Sequence, residues 1–249
     1  MKETKMDYKK EFQKEFESMC YNKGLNKKEA WGILMEMFAC TLSNQTEPRY
    51  NVRQEREEKY YKCEERLGGK EIPAKLLAYL MMALNEDPNQ DFLGDMYMKL
   101  SMGERAWGQI FTPYHVCEMM AQMTFDSPEK DIKDHGYVTT LDPAVGGGAM
   151  LIASAQALRD AGYDPKTQMI AVGQDVDITA VYMAFVQLAI IGCPAVVVHG
   201  DSLAEPYTGN PLFVDDNSSY WYTPMLFTKA WFERRKAFIE ELRDNNKIA

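Results

Sequence analysis

Residues 138–152, Val-Thr-Thr-Leu-Asp-Pro-Ala-Val-Gly-Gly-Gly-Ala-Met-Leu-Ile, decide the fold of this chain. A β-rich run ends at Asp142-Pro143, crosses Gly146, Gly147 and Gly148, and enters an apolar helix. Glycines at a strand-to-helix crossing let a ligand press against bare backbone. The helix that follows presents free N–H groups at its first turn. Together these features describe the nucleotide-side loop of a Rossmann-like unit. Its glycine spacing is not the dinucleotide fingerprint, so NAD is not the first choice.

The stretches that follow come in the order such a fold demands. Gln168 to Asp177 is a short apolar run ending in acids, about thirty residues after the first, which is the length of one βαβ unit. An acid at the end of a second strand accepts hydrogen bonds from ribose hydroxyls. Asp175 is the candidate, with Asp177 in reserve. Ala195-Val-Val-Val-His199 reads as a third buried strand, followed by Gly200-Asp201-Ser202-Leu203. The prediction is βαβαβ within 136–203, with helices over 149–160 and 178–191.

Asp142-Pro143-Ala144-Val145-Gly146-Gly147-Gly148 resembles the Asp-Pro-x-x-Gly-x-Gly loop of S-adenosylmethionine-dependent N6-adenine DNA methyltransferases, with the nearest likeness to the modification subunits of type I restriction systems. Gly173-Gln174-Asp175 resembles that family's Gly-x-Glu, which nominates Asp175 for the ribose. Gly200-Asp201-Ser202-Leu203 resembles its Gly-Asp-Ser/Thr-Leu, where the acid lies near the adenine ring. Upstream, Gly108 to Pro113 resembles Gly-x-x-Tyr/Phe-Thr-Pro, so Phe111, Thr112 and Pro113 are expected beside the methionine end of the cofactor. Asp91 to Tyr97 resembles the segment before that turn. The resemblance covers roughly residues 90–205. It implies a cofactor site for S-adenosylmethionine made by Phe111, Thr112, Pro113, Asp142, Pro143, Ala144, Gly146, Gly148, Asp175, Asp201 and Ser202.

The catalytic segment departs from that pattern. Adenine N6 is a poor nucleophile because its lone pair is delocalised into the ring. The family uses Asn/Asp-Pro-Pro-aromatic at a strand end to hold the amine and stack on an extruded base. The candidate here is Asn210-Pro211-Leu212-Phe213, in which Leu212 stands where the second proline belongs. The preceding Ala204 to Gly209 carries breakers and reads as a surface loop, not a strand. Asn210, Pro211 and Phe213 are therefore doubtful catalytic residues. The aromatic cluster Asn217-Ser218-Ser219-Tyr220-Trp221-Tyr222-Thr223-Pro224 could stack on a base, but reads rather as a segment capping an exposed sheet edge.

Composition supports a real core, at 46% hydrophobic residues. No apolar run is long enough to span a bilayer, and the first residues lack the apolar core of a secretory signal. Five scattered cysteines without Cys-x-x-Cys support neither a disulfide frame nor a zinc site, and a reducing cytoplasmic setting is expected. The three histidines have no spacing that suggests a metal or a triad. Residues 101–210 hold 5 basic and 13 acidic side chains. DNA affinity needs clustered Lys and Arg, so DNA binding is not supported by this acidic core. Arg234-Arg235-Lys236 and the lysine-rich first helices read as solvated faces.

The predicted fold class is α/β: a partial Rossmann-like methyltransferase core with few parallel strands, over 101–249, following a helical region over 1–100. Helices are expected near 7–22, 27–42, 53–67 and 73–85, with a helical tail after 223. Three functional classes fit. The first is a methyltransferase-like protein that binds S-adenosylmethionine but is inactive as a lone chain. It would act through a protein partner in a restriction–modification or anti-defence setting, such as that of a mobile element. The second is an active N6-adenine DNA methyltransferase. The third is an interaction protein that has lost the cofactor.

Overall fold

The computed structural model describes residues 6–101, 111–124 and 128–247. Five helices come first: α1 (Tyr8–Lys23), α2 (Lys27–Ser43), α3 (Tyr50–Leu67), α4 (Glu71–Glu86) and α5 (Phe92–Ser101). Their boundaries follow local chemistry. Asp7 accepts from Lys10 N and Asn26 from Lys28 N and Glu29 N, which caps α1 and α2. Gly24 and Gly68 end α1 and α3 in the left-handed conformation. The helix expected to open at Pro73 begins two residues earlier; a proline in the first turn forfeits no intrahelical bond.

Two more helices, α6 (Tyr114–Thr124) and α7 (Glu129–His135), lead into the α/β part. There β1 (Val138–Asp142), α8 (Ala149–Asp160), α9 (Pro165–Gln168), β2 (Met169–Asp175), α10 (Ile178–Ile190) and β3 (Ala195–His199) follow in order. This is the predicted βαβαβ. The sheet runs β1-β2-β3-β4, with the first three strands parallel. The aromatic run forms β4 (Tyr220–Tyr222), antiparallel to β3, so the segment expected to cap the sheet edge is itself the edge strand and the sheet is mixed. A 3-10 turn (Pro224–Phe227) and α11 (Lys229–Lys247) end the described chain.

The layers follow from which faces are apolar. Every residue from Ala180 to Leu188 of α10 is buried, the signature of a helix enclosed on all sides. It lies between the sheet and the N-terminal helices, where Trp31 of α2 donates to Met183 Sδ and Tyr182 donates to Glu36. One core thus joins Phe12, Trp31, Phe38 and Phe92 to Met169, Ala171, Ala195 and Val197 on one sheet face. The opposite face, with Ile170, Val196 and Val198, packs on Leu212, Leu226 and Trp231. Ala149, Ala153 and Ala157 make a small-residue stripe on α8 against Cys117 and Ala121 of α6.

The two sheet edges differ. At β4, the buried Arg56 of α3 donates to Glu47, Ser43 and the Tyr220 carbonyl, so the strand is held by the helical layer. At β1, no strand pairs with the second edge among the described residues, and Leu141 is 52% exposed. All five cysteines are buried free thiols. Among the described residues no helix is long and apolar enough to cross a membrane.

Candidate cofactor-binding site

The loop after β1 is shaped by its own hydrogen bonds. Asp142 Oδ1 accepts from Ala144 N at 3.0 Å, which turns the chain as the strand ends. Val145 N donates to Gln174 O, fastening the loop to β2. Gly146 and Gly148 have φ of 52° and 96°, a region costly for any residue with a Cβ. A Cβ at Gly146 would also meet the Phe111 ring at 3.0 Å, and one at Gly148 would meet Ala184 Cα at 3.2 Å. The loop is therefore pressed between the turn before α6 and the middle of α10.

Asp175, at the end of β2, is tied to this loop. Its Oδ2 accepts from Gly146 N at 2.9 Å, and its Oδ1 accepts from Asp177 N at 2.9 Å. Each oxygen keeps a second lone pair for a further donor. Asp177, the reserve candidate, caps α10 by accepting from Thr179 N.

A cleft of about 90 Å³ opens on the outer side of the loop. Ala144, Val145, Gly146, Gly147 and Ala149 form its floor, and Phe111, Thr112, Cys117, Met150, Asp142 and Asp91 its walls. Burial raises the Asp142 carboxyl above its ordinary range; the turn hydrogen bond from Ala144 opposes this and the neighbouring Asp175 charge adds to it. Asp91 is raised chiefly by burial as well. Burial likewise lifts the Cys117 thiol to about 11, so it is a poor nucleophile at neutral pH. Among the described residues no Lys or Arg lines the cleft.

Of the sequence candidates, the structure brings Phe111, Thr112, Asp142, Ala144 and Gly146 together around one cleft, with Asp175 bonded to its floor. Pro113 immediately precedes α6, its carbonyl accepting from Val116 N, while Pro143 is exposed on the loop and Gly148 is buried. Asp201 and Ser202 follow β3 at the same end of the sheet but do not line the cleft. Asp201 Oδ1 accepts from Leu203 N. Gly108 lies outside the described residues.

The doubtful catalytic segment sits elsewhere. Asn210 Oδ1 accepts from Leu212 N at 3.0 Å, closing a local turn, and Asn210 is exposed. Leu212 is buried under the sheet, and the Phe213 ring packs, tilted, against Phe238 of α11 with ring centres 5.7 Å apart. Neither Asn210, Pro211 nor Phe213 lines the glycine-loop cleft. Arg234 and Arg235, expected on a solvated face, are instead partly buried and donate to the Thr167 and Leu226 carbonyls.

Sequence reasoning assigned no role to Asp91 or Gln187, yet both shape the site. Gln187 of α10 is fully buried; its Nε2 donates to Gly147 O and to Asp91 Oδ1, both at 2.8 Å, and its Oε1 accepts from Leu93 N. A lone glutamine inside an apolar helix was the available signal, because a buried amide must find partners.

The cleft's chemistry selects its ligand. Backbone N–H groups with carboxylates and, among the described residues, no Lys or Arg disfavour a phosphate. They suit a nucleoside that carries ribose hydroxyls and a positively charged tail, and the residues present therefore fit S-adenosylmethionine.

The sequence model of the N-6 DNA Methylase family matches residues 88–241. Two solved structures match part of the chain. One, described as a class I S-adenosylmethionine-dependent methyltransferase from Listeria monocytogenes, is 21% identical with a TM-score of 0.37, over 71% of this chain and 55% of that one. The other is the methyltransferase subunit of a type I restriction-modification system from Streptococcus thermophilus, 15% identical with a TM-score of 0.39, over 82% of this chain and 60% of that one. The chain thus spans under two thirds of either structure's length. No curated protein matches it. Among the described residues no cluster of His, Cys, Asp and Glu is arranged to hold a metal ion.

Proposed function

The chain belongs to the N-6 DNA methylase family, and from that premise we propose that it binds S-adenosylmethionine at the glycine loop and does not methylate adenine as a lone chain. Asp175 accepts the ribose hydroxyls, Gly146 and Gly147 offer bare backbone to the ligand, and Asp142 and Phe111 border its amino-acid end. Asp201 and Ser202 extend the site towards the adenine. When bound, the cofactor supplies a methyl group on a positively charged sulfur. The observation that carries this reading is the cleft itself, in which Asp142, Gly146 and Phe111 meet with no basic residue among its described walls.

Transfer needs more than the donor. The amine hydrogens of adenine must be held by acceptors fixed at a strand end, with an aromatic wall for the extruded base. Asn210 spends its oxygen on a local turn and Phe213 packs on α11, so neither serves that purpose. The acidic character of residues 101–210 repels a phosphate backbone. A protein partner in a restriction–modification or defence complex supplies the base-binding elements, and the free edge of β1, beside the glycine loop, is where they join the sheet.

Calorimetric titration with S-adenosylmethionine and transfer of labelled methyl groups to unmethylated genomic DNA test this together. The expected result is binding without incorporation. Incorporation abolished by Asn210→Ala would restore the active-enzyme reading, and absence of binding would leave an interaction protein.

A further inference from the structure

Asp91, one of the walls of the cleft, is buried at 3% exposed. It sits at the entrance to α5, where its Oδ1 accepts from Gly94 N at 2.8 Å and from Gln187 Nε2 at 2.8 Å. Its Oδ2 receives no hydrogen bond among the described residues, and Asp91 lines the cleft. Among the described residues no cation forms an ion pair with it; Lys9, whose charge acts on it, is itself bonded to Asp95 at 2.6 Å. A Cβ at Gly147 would meet the Asp91 carboxylate at 3.3 Å, so the acid lies directly against the glycine loop.

The structural duties of Asp91 need no charge. Capping a helix and accepting from an amide are performed equally well by asparagine. Burying a carboxylate without a cation is costly, so the negative charge is surplus to the fold and opposes it in the absence of a ligand. Asp91 shares the lining of the cleft with Phe111 and Asp142 of β1. The ribose acid, Asp175, ends the neighbouring strand.

We propose that Asp91 is a ligand-binding residue that reads the positive charge of the cofactor's amino-acid end by accepting a hydrogen bond from its α-ammonium group. This rests on the S-adenosylmethionine reading above and extends it to a residue outside the glycine loop. The N-terminal helical region then supplies part of the site. Gln187 fixes the geometry, holding Asp91 and the Gly147 carbonyl with one amide.

The test uses the full chain and three ligands: S-adenosylmethionine, S-adenosylhomocysteine, and 5′-methylthioadenosine, which keeps the nucleoside but lacks the amino-acid end. Asp91→Asn is expected to weaken the first two by ten-fold or more and to leave the third unchanged, with the ligand-free melting temperature equal or higher. Asp91→Ser, which also caps a helix without charge, should behave alike. Unchanged affinity for S-adenosylmethionine would overturn the assignment, as would equal weakening of all three ligands, which marks a merely structural residue. Wild-type protein that binds neither of the first two would remove the cofactor reading itself, a different result from a failure confined to Asp91.

Discussion

The guanidinium of Arg56 lies 3.6 Å from the ring centre of Trp221. Arg56 belongs to α3 and Trp221 to β4, so this stack joins the helical layer to the last strand of the sheet. The same guanidinium donates to Glu47 Oε2 at 2.7 Å and to Tyr220 O at 3.0 Å. Burial would raise the Glu47 carboxyl, but hydrogen bonds from Arg49 and the charge of Arg56 overrule it and hold the group below its ordinary value. A strand of three residues has few ladder bonds of its own, and these contacts make up the difference.

Arg56→Ala removes the stack and one of the two arginines that neutralise Glu47. Breaking one side of a buried pair costs about 3–5 kcal/mol. Urea unfolding followed by tryptophan fluorescence should show a loss of that size. A loss below about 1 kcal/mol, the range of a surface pair, would mean that β4 is held by its strand neighbour alone.

Asp175→Ala should weaken S-adenosylmethionine by roughly 1.5–3 kcal/mol, the range for hydrogen bonds to a charged group. Asp175→Asn should lose less, because its oxygen can still accept from Gly146 N. Calorimetry on both variants checks the order; equal affinities for wild type and alanine variant would remove the ribose role.

At Gly148 and Gly146 a valine has two separate effects. Gly148→Val faces both a φ of 96° and the Ala184 backbone, so it should lower stability by about 1–3 kcal/mol from conformation alone, with further loss from the clash. Gly146→Val is strained at a φ of 52° and abuts Phe111, so it should lower stability and also reduce cofactor affinity. Thermal unfolding and ligand titration on the two variants separate the effects.

The pH dependence of stability carries the imprint of Asp91 and Asp142. Both carboxyls are raised in the folded state, mainly by burial. Their contribution is fully present below the unfolded value of about 3.9 and is lost as pH rises through the folded values, where the fold must accommodate the ionised form. Asp91→Asn removes its share of that descending slope. The variant should be the more stable at neutral pH, with the higher melting temperature. Melting curves between pH 4 and 8 without ligand would show it, and a variant less stable at pH 7 would contradict it.

The parallel part of this fold is legible in the sequence because each of its parts is local. Three apolar runs, each closed by an acid or a glycine, stand one βαβ unit apart, and the periodicity of α8 and α10 fixes the crossovers. The Asp142–Gly148 loop is legible for the same reason. What escapes is what depends on long separation. Asp91 meets Gln187 across 96 positions, and nothing near either residue announces the other. Arg234 and Arg235 read as a solvated cationic run because their acceptors, Thr167 and Leu226, are carbonyls that carry no sequence signature. The pairing of Tyr220–Tyr222 with β3 is similarly hidden, since a three-residue aromatic run fits an edge strand and a cap equally well.

The free edge of β1 sets a rule of symmetry. A second copy of this chain adding there about a two-fold axis would present the same strand to itself, and the regular pairing would be antiparallel. Such a homodimer reverses the direction of the sheet at the glycine loop, and places two cofactor clefts at opposite ends of the joint. Extending the sheet in the direction of β1, β2 and β3 requires a strand of different sequence. Strand polarity at this edge therefore tells a two-fold pairing of β1 with its own copy from a continuation of the parallel sheet, before any side chain is compared.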